Sequence, residues 1–328
     1  MMKMLSFTVS AIALTLSAGE ALASDLPSRR APPPPPYFEP APVATWTGFY
    51  AGVNAGGTWA QSNSVNVWSA PILTGDPTVN MFPVPTAGAA ALAASGTLPS
   101  SSSGFIGGGQ IGYNSQISSN FVAGIEADIQ GIGGGGGSSG QSNVVTAPIS
   151  VVGVPAPNNF VGTTISAAKS LDYIGTVRGR IGYLFTPTLL AYATGGLAYG
   201  GVSSSTSVAG TTMGYNLGLA AGNAAYFSNG GFSDTRVGWT AGGGLEWMFL
   251  SNWSAKFEYL YYNLGSVSYS AGIPASIVQS GTTGGLPVGS AFYALASQSS
   301  ASFNGHIVRA GLNYHFNWAA PAPLVAKY

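Results

Sequence analysis

The chain has 328 residues with 10 Lys or Arg against 10 Asp or Glu, so only 6% are charged and the formal net charge is zero. A water-exposed globular surface carries roughly four times that density of charge, and an aromatic content of 12% excludes a disordered chain. Balanced charge removes the footprint that nucleic acid requires, and the lack of cysteine removes thiol nucleophiles and Cys-bound metals.

Residues 1–23 read as a secretory signal. Lys3 precedes an apolar or small-residue core from Leu5 to Gly19, and Ala21, Leu22 and Ala23 form an A-x-A cleavage pattern. Residues 24–45 are expected to form a proline-rich tail. Eight of the sixteen residues from Pro27 to Pro42 are proline, and proline has no N–H to give to a ladder. A transmembrane β-barrel domain is expected over 46–318, with a short C-terminal extension over 319–328.

The barrel assignment rests on three features taken together. After the leader no run approaches the ~18 apolar residues of a spanning helix, so an uncharged, aromatic chain that enters a bilayer must do so with strands. Eight strand-like segments fall at 47–62, 103–114, 121–133, 170–185, 189–201, 234–249, 254–270 and 303–316, each long enough for the ~9–11 residues of a tilted crossing. Tight turns at 115–120, 186–188 and 250–253 alternate with excursions of 40, 35, 32 and 32 residues at 63–102, 134–168, 202–233 and 271–302. Short turns on one side and long loops on the other predict an all-β, eight-stranded antiparallel barrel with both ends in the periplasm. The four excursions contain a single charge, Asp76, and are expected to be extracellular loops.

Side chains two apart on a strand share a face. By that parity Glu126, Asp128, Asp172, Arg178, Arg180, Arg236, Glu246, Lys256, Glu258 and Arg309 are predicted to point away from the apolar face of their strands. A Lys or Arg on the lipid face costs about 2–4 kcal/mol at mid-bilayer, so this second face is the lumen. Five acids and five bases there form a balanced set, which predicts a salt-bridge network plugging a barrel too narrow for a pore. Aromatic belts are expected at the turn side, from Trp46, Phe49, Tyr113, Phe121, Tyr183, Phe185, Trp247, Phe249, Trp253 and Tyr314. At the loop side they come from Trp59, Phe105, Tyr173, Trp239, Tyr269 and Phe303.

The segments WTGFYAGVNAGGTW, GGGQIGYN, FVAGIEADI, YIGTVRGRIGY, YATGGLAYG and VRAGLNYHF, with the leader and DLPSRRAPPPPP, resemble the small alphaproteobacterial outer-membrane β-barrel proteins of the porin superfamily. These are related in fold to the transmembrane domain of outer-membrane protein A. The resemblance covers every proposed strand and none of the long loops. It implies residence in the cell outer membrane, among outer-membrane lipid and lipopolysaccharide, after insertion by the barrel-assembly machinery.

Little catalytic chemistry is visible. Gly107, Gly109 and Gly112 spell a dinucleotide fingerprint, but inside a strand with no helix after it. His306 and His315 are nine apart on the last strand and face opposite sides, so no triad or shared metal site forms. The expectation is a non-enzymatic structural barrel without cofactors. A porin-like channel and a surface receptor or adhesin of the haem-associated kind are the alternatives, although no histidine falls in a loop to hold iron.

Overall fold

The computed structural model describes residues 45–73, 83–147, 150–151, 154–155, 159–213, 224–278, 282–283, 286–287 and 291–316. The expected signal, the proline-rich tail up to residue 44 and the C-terminal extension lie outside these residues.

Eight strands form the wall: β1 (Gly48–Ala60), β2 (Gly104–Gln116), β3 (Phe121–Gly133), β4 (Asn159–Thr186), β5 (Leu189–Met213), β6 (Ala224–Leu250), β7 (Trp253–Ser270) and β8 (Ala291–Phe316). Each pairs antiparallel with the next, and β1 pairs with β8 from Phe49 opposite Phe316 to Ala60 opposite Gly305, so the ring closes. Closure leaves no bare edge within the bilayer. Of the glycines that mimic a nucleotide fingerprint, Gly112 is required by close packing, since a Cβ there would overlap the Tyr50 hydroxyl; elsewhere in the wall, one at Gly56 would overlap the β8 backbone beside Arg309.

Strand length is where structure and sequence diverge. Strands β1, β2 and β3 have 13 residues each, but β4, β5, β6 and β8 run for 28, 25, 27 and 26. Much of what composition marks as loop is therefore strand, extending outward past the ~9–11 residues a crossing needs. In β5 the extension alternates Val202, Ser204, Thr206 and Val208 inward with Ser205 and Ala209 outward. Small hydroxylated residues hide that period from a hydropathy reading.

Where β1–β3 stop, two inserted strands take their place. Gly136–Ala147 pairs with β4 from Ser170 to Asn159, and Ser64–Leu73 pairs with β8 from Ala301 to Tyr293. The first excursion also contributes helix α1 (Pro83–Ala93) and the strand Gly96–Pro99. The last carbonyls of α1 and the residue after it are satisfied from both sides. Asn143 Nδ2 donates to Ala93 O at 2.9 Å, and Ser69 Oγ donates to Ala94 O at 2.9 Å. The helix is thereby held against the interior of the extension, burying Ala87, Ala90, Ala91 and Ala93.

This topology predicts a labelling pattern. The natural chain has no cysteine, so Ser205→Cys on the exposed face of the β5 extension should react with an impermeant maleimide on intact cells. Ser119→Cys in the β2–β3 turn should react only after the outer membrane is permeabilised. The reverse pattern would invert the barrel.

Candidate functional site

Within the band between the two aromatic belts, every charged residue among those described points inward. Eight of them meet. Arg178 lies at the centre, donating to Glu126 at 2.5 Å, to Asp128 at 2.8 Å and to Glu258 at 2.8 Å, while its Nε donates to Thr176 at 2.8 Å. Arg309 spans Asp128 at 2.8 Å and Glu258 at 2.5 Å. Lys256 donates to Glu126 at 2.7 Å, and Arg180 to Glu246 at 2.5 Å. The Tyr50 hydroxyl donates to Glu126 at 2.7 Å and accepts from Arg180 at 3.0 Å. All eight are at most 5% exposed.

The positions are set by register. Glu126 stands opposite Arg178, Glu246 opposite Lys256, and Glu258 opposite Arg309. An acid faces a base across three separate strand pairs, the arrangement that makes cross-strand charges favourable. Four acids against four bases leave no net charge to desolvate. Amides and hydroxyls complete the layer: Asn54 donates to Gln110 at 3.0 Å, Gln110 to Asn313 at 2.5 Å, Asn313 to Glu246 at 2.7 Å and Ser254 to Glu246 at 2.6 Å.

Two of the ten predicted lumen charges stand apart. Asp172 is exposed, because the β4–β5 ladder steps from Tyr173 opposite Gly201 to Leu171 opposite Val202 and leaves Asp172 as the extra residue of a bulge. It accepts from Ser170 Oγ at 2.9 Å. Arg236 keeps the inward parity but is half-buried, and its guanidinium makes a long contact to Ser266 O at 3.5 Å. It sits beyond Trp239, where the β6–β7 ladder ends. Lys169, whose place beside a neutral tract gives it the look of a loop flank, is instead buried. Its ammonium donates to Ser62 O at 2.7 Å and to Ser302 O, and lies 4.8 Å from the Phe303 ring centre. Its alternation with Ala167 and Ile165, both buried, is the signal that the sequence offers for it.

Apolar layers close the network from both ends. On the periplasmic side Trp46, Val122, Leu184, Leu190, Tyr192 and Met248 form one cluster, with Trp46 Nε1 donating to Pro187 O at 3.0 Å. Trp46, expected in the inner belt, is 1% exposed and acts as a stopper inside the mouth. On the outer side Ile106, Ile174, Leu260, Phe303 and Ile307 pack with Val65, Val67 and Leu98 of the first excursion. Tyr269 and Phe303, expected in the outer belt, belong to this layer. A register shift between Asn263 and Ser266 turns Tyr269 inward, and Phe303 shares the parity of Arg309.

The histidines divide as their spacing requires. His315 is 3% exposed in the lumen, 2.8 Å from Ser254 Oγ and edge-on to Trp46. His306 faces out and bonds Tyr259. Among the described residues no three potential ligands gather in a way that could hold a metal.

The ring, its outward apolar surface and its two belts coincide with what comparison finds. The model of the outer membrane protein beta-barrel domain matches residues 11–316. The chain belongs to this outer-membrane barrel family. It is 31% identical over 284 residues to the 31 kDa outer-membrane immunogenic protein of Brucella melitensis, covering 87% of this chain and 89% of that one. It is also 30% identical over 141 residues to the 22 kDa outer membrane protein of Rhizobium leguminosarum bv. viciae, covering 40% and 56% of the two chains. Solved structures with a related course include OprG of Pseudomonas aeruginosa, at TM-score 0.34 and 8% identity over 83% of this chain and 98% of that one. Neisserial surface protein A matches at TM-score 0.25 and 11% identity over 82% and 98%. Localisation to the outer membrane follows from the family.

The two environments of the predicted charges give a direct test. Arg178→Ala removes one partner from each of three buried carboxylates and should cost about 3–5 kcal/mol, read as a lower urea midpoint in detergent micelles. Asp172→Asn, at an exposed bulge, should stay within about 0.5 kcal/mol of wild type.

Proposed function

We propose that this protein is a structural barrel that contributes to envelope integrity and surface character and does not conduct. The observation that carries the reading is the neutral eight-charge network closed above and below by apolar side chains. An eight-stranded barrel is just wide enough for its own side chains, and here those side chains meet across the axis: Arg178 of β4 bonds Glu258 of β7, and Arg180 of β4 bonds Glu246 of β6. A selective conduit gathers one sign of charge, whereas this interior balances both.

Surface character comes from the outer extension, whose described strands expose Ser, Thr, Gly and Ala beside a few large apolar side chains such as Trp68, Val144 and Phe227, with almost no charge. Such a face steers no ions. The Brucella relative is named for its immunogenicity, a property that suits a neutral extension displayed to the exterior. Neither histidine stands on the extension, so the haem-associated alternative has nothing to recommend it. The same reading carries no catalytic role, and implies insertion by the barrel-assembly machinery.

Planar bilayers test the proposal. Purified wild-type protein should show no steady conductance. Arg309→Ala removes a large side chain from the middle layer and leaves Asp128 and Glu258 undercompensated, so it should admit water and raise the frequency of openings. Steady wild-type current unaffected by Arg309→Ala would overturn the plugged lumen in favour of a small porin.

A further inference from the structure

The lipid-facing surface carries one imidazole among the described residues. His306 lies ten residues from Phe316, whose partner in the ladder is Phe49 of the inner belt. At about 3.3 Å per residue and a tilt of about 40°, that distance is about 25 Å along the normal, the height of the apolar band. His306 therefore stands at the level of the outer headgroups.

Its surroundings are built. Across the two ladders its partners are Trp59 of β1 and Tyr261 of β7. The Tyr259 hydroxyl is 2.7 Å from His306 Nδ1 and the two rings are stacked at 5.9 Å. Tyr261 lies 5.4 Å from the imidazole on one side and 5.3 Å from Trp239 on the other. Trp59 and Trp239 are each about half exposed, at 52% and 51%. When Tyr259 donates to Nδ1, the neutral ring carries its proton on Nε2, and Nε2 has no bond to any described residue.

The titratable groups facing His306 from β7 are Tyr259 and Tyr261; β1 presents Trp59, which does not titrate. Arg309, Lys256 and Glu258 point into the lumen. No carboxylate or second cation competes at this spot among the described residues. An imidazole N–H without a partner among the described residues, framed by two indoles and two phenols, suits a ligand with both a phosphate and a flat saccharide face. A plain glycerophospholipid offers only the first.

We propose that His306, Trp59, Tyr259, Tyr261 and Trp239 form a binding site for the phosphorylated saccharide headgroup of an outer-leaflet glycolipid. The site is continuous with the lipid-facing surface of the barrel and does not depend on whether the lumen conducts. Stacking on the aromatic rings holds the sugar, and the imidazole selects the phosphate through a charge-assisted hydrogen bond.

Native mass spectrometry of the intact protein titrated with bisphosphorylated lipid A, dephosphorylated lipid A and phosphatidylglycerol tests this. The bisphosphorylated form should bind about five-fold more tightly than the dephosphorylated form, corresponding to about 1 kcal/mol. His306→Phe should erase the preference while keeping residual binding, and Trp59→Leu should weaken both forms alike. If the Phe variant does not fold, His306→Leu removes the donor in a smaller side chain and should erase the preference in the same way. A preference that survives either substitution at His306 overturns the site, as does phosphatidylglycerol binding as tightly as bisphosphorylated lipid A.

Discussion

An eight-stranded ring closes on so little interior space that its inward charges must be paired with one another, and this constraint organises the whole molecule. Isolated ions moved from water into such a space lose several kcal/mol each, which only mutual pairing offsets. The sequence meets the demand by register: acids on β3, β6 and β7 face bases on β4, β7 and β8. Arg178 then bonds three carboxylates from two strands, so the network braces opposite walls as well as neighbouring ones. Replacing it with packed hydrocarbon would be no less stable in principle. What ion pairs add is register, because a one-residue slip would turn each charge out to lipid.

The apolar caps answer the same constraint. Charged layers are strong when dry, since screening by water weakens them. Trp46 with its cluster lies below the layer, and the alanine-rich helix with its two strands belongs to the apolar cluster above it. The first excursion is thus internal structure as much as surface loop. Its strand Ser64–Leu73 covers the edge of β8 where β1 has ended, as Gly136–Ala147 covers β4. Both are places where an exposed edge would otherwise invite pairing with another chain.

Composition alone makes the class of fold legible, because few solutions fit a chain that is apolar, aromatic and free of long helical spans. Parity places eight of the ten charges with their partners, since a period of two is strict wherever the ladder is regular. It fails where the ladder is irregular. The bulge at Asp172 and the shift between Asn263 and Ser266 each insert a residue, and nothing in local composition marks them. Trp46 escapes for a different reason: it precedes β1, where parity has no meaning. The extended strands are hidden because serine, threonine and glycine fill both faces, so pairing rather than hydropathy defines them. Lys169 is lost with them. A lone charge beside a neutral tract reads as a loop boundary, yet two backbone carbonyls and an aromatic face hold it inside.

Whether the lumen is dry and closed can be read from the chemical accessibility of an inward side chain. Thr240 on β6 points inward, is 2% exposed and donates to the Tyr261 carbonyl at 2.8 Å. In the otherwise cysteine-free chain, Thr240→Cys is nearly isosteric and can be challenged with a small cationic methanethiosulfonate in folded micelles. In a sealed barrel the thiol stays unmodified over hours and reacts at once after unfolding. Rapid modification of the folded protein would show that water and ions reach the interior, and would contradict the sealed barrel.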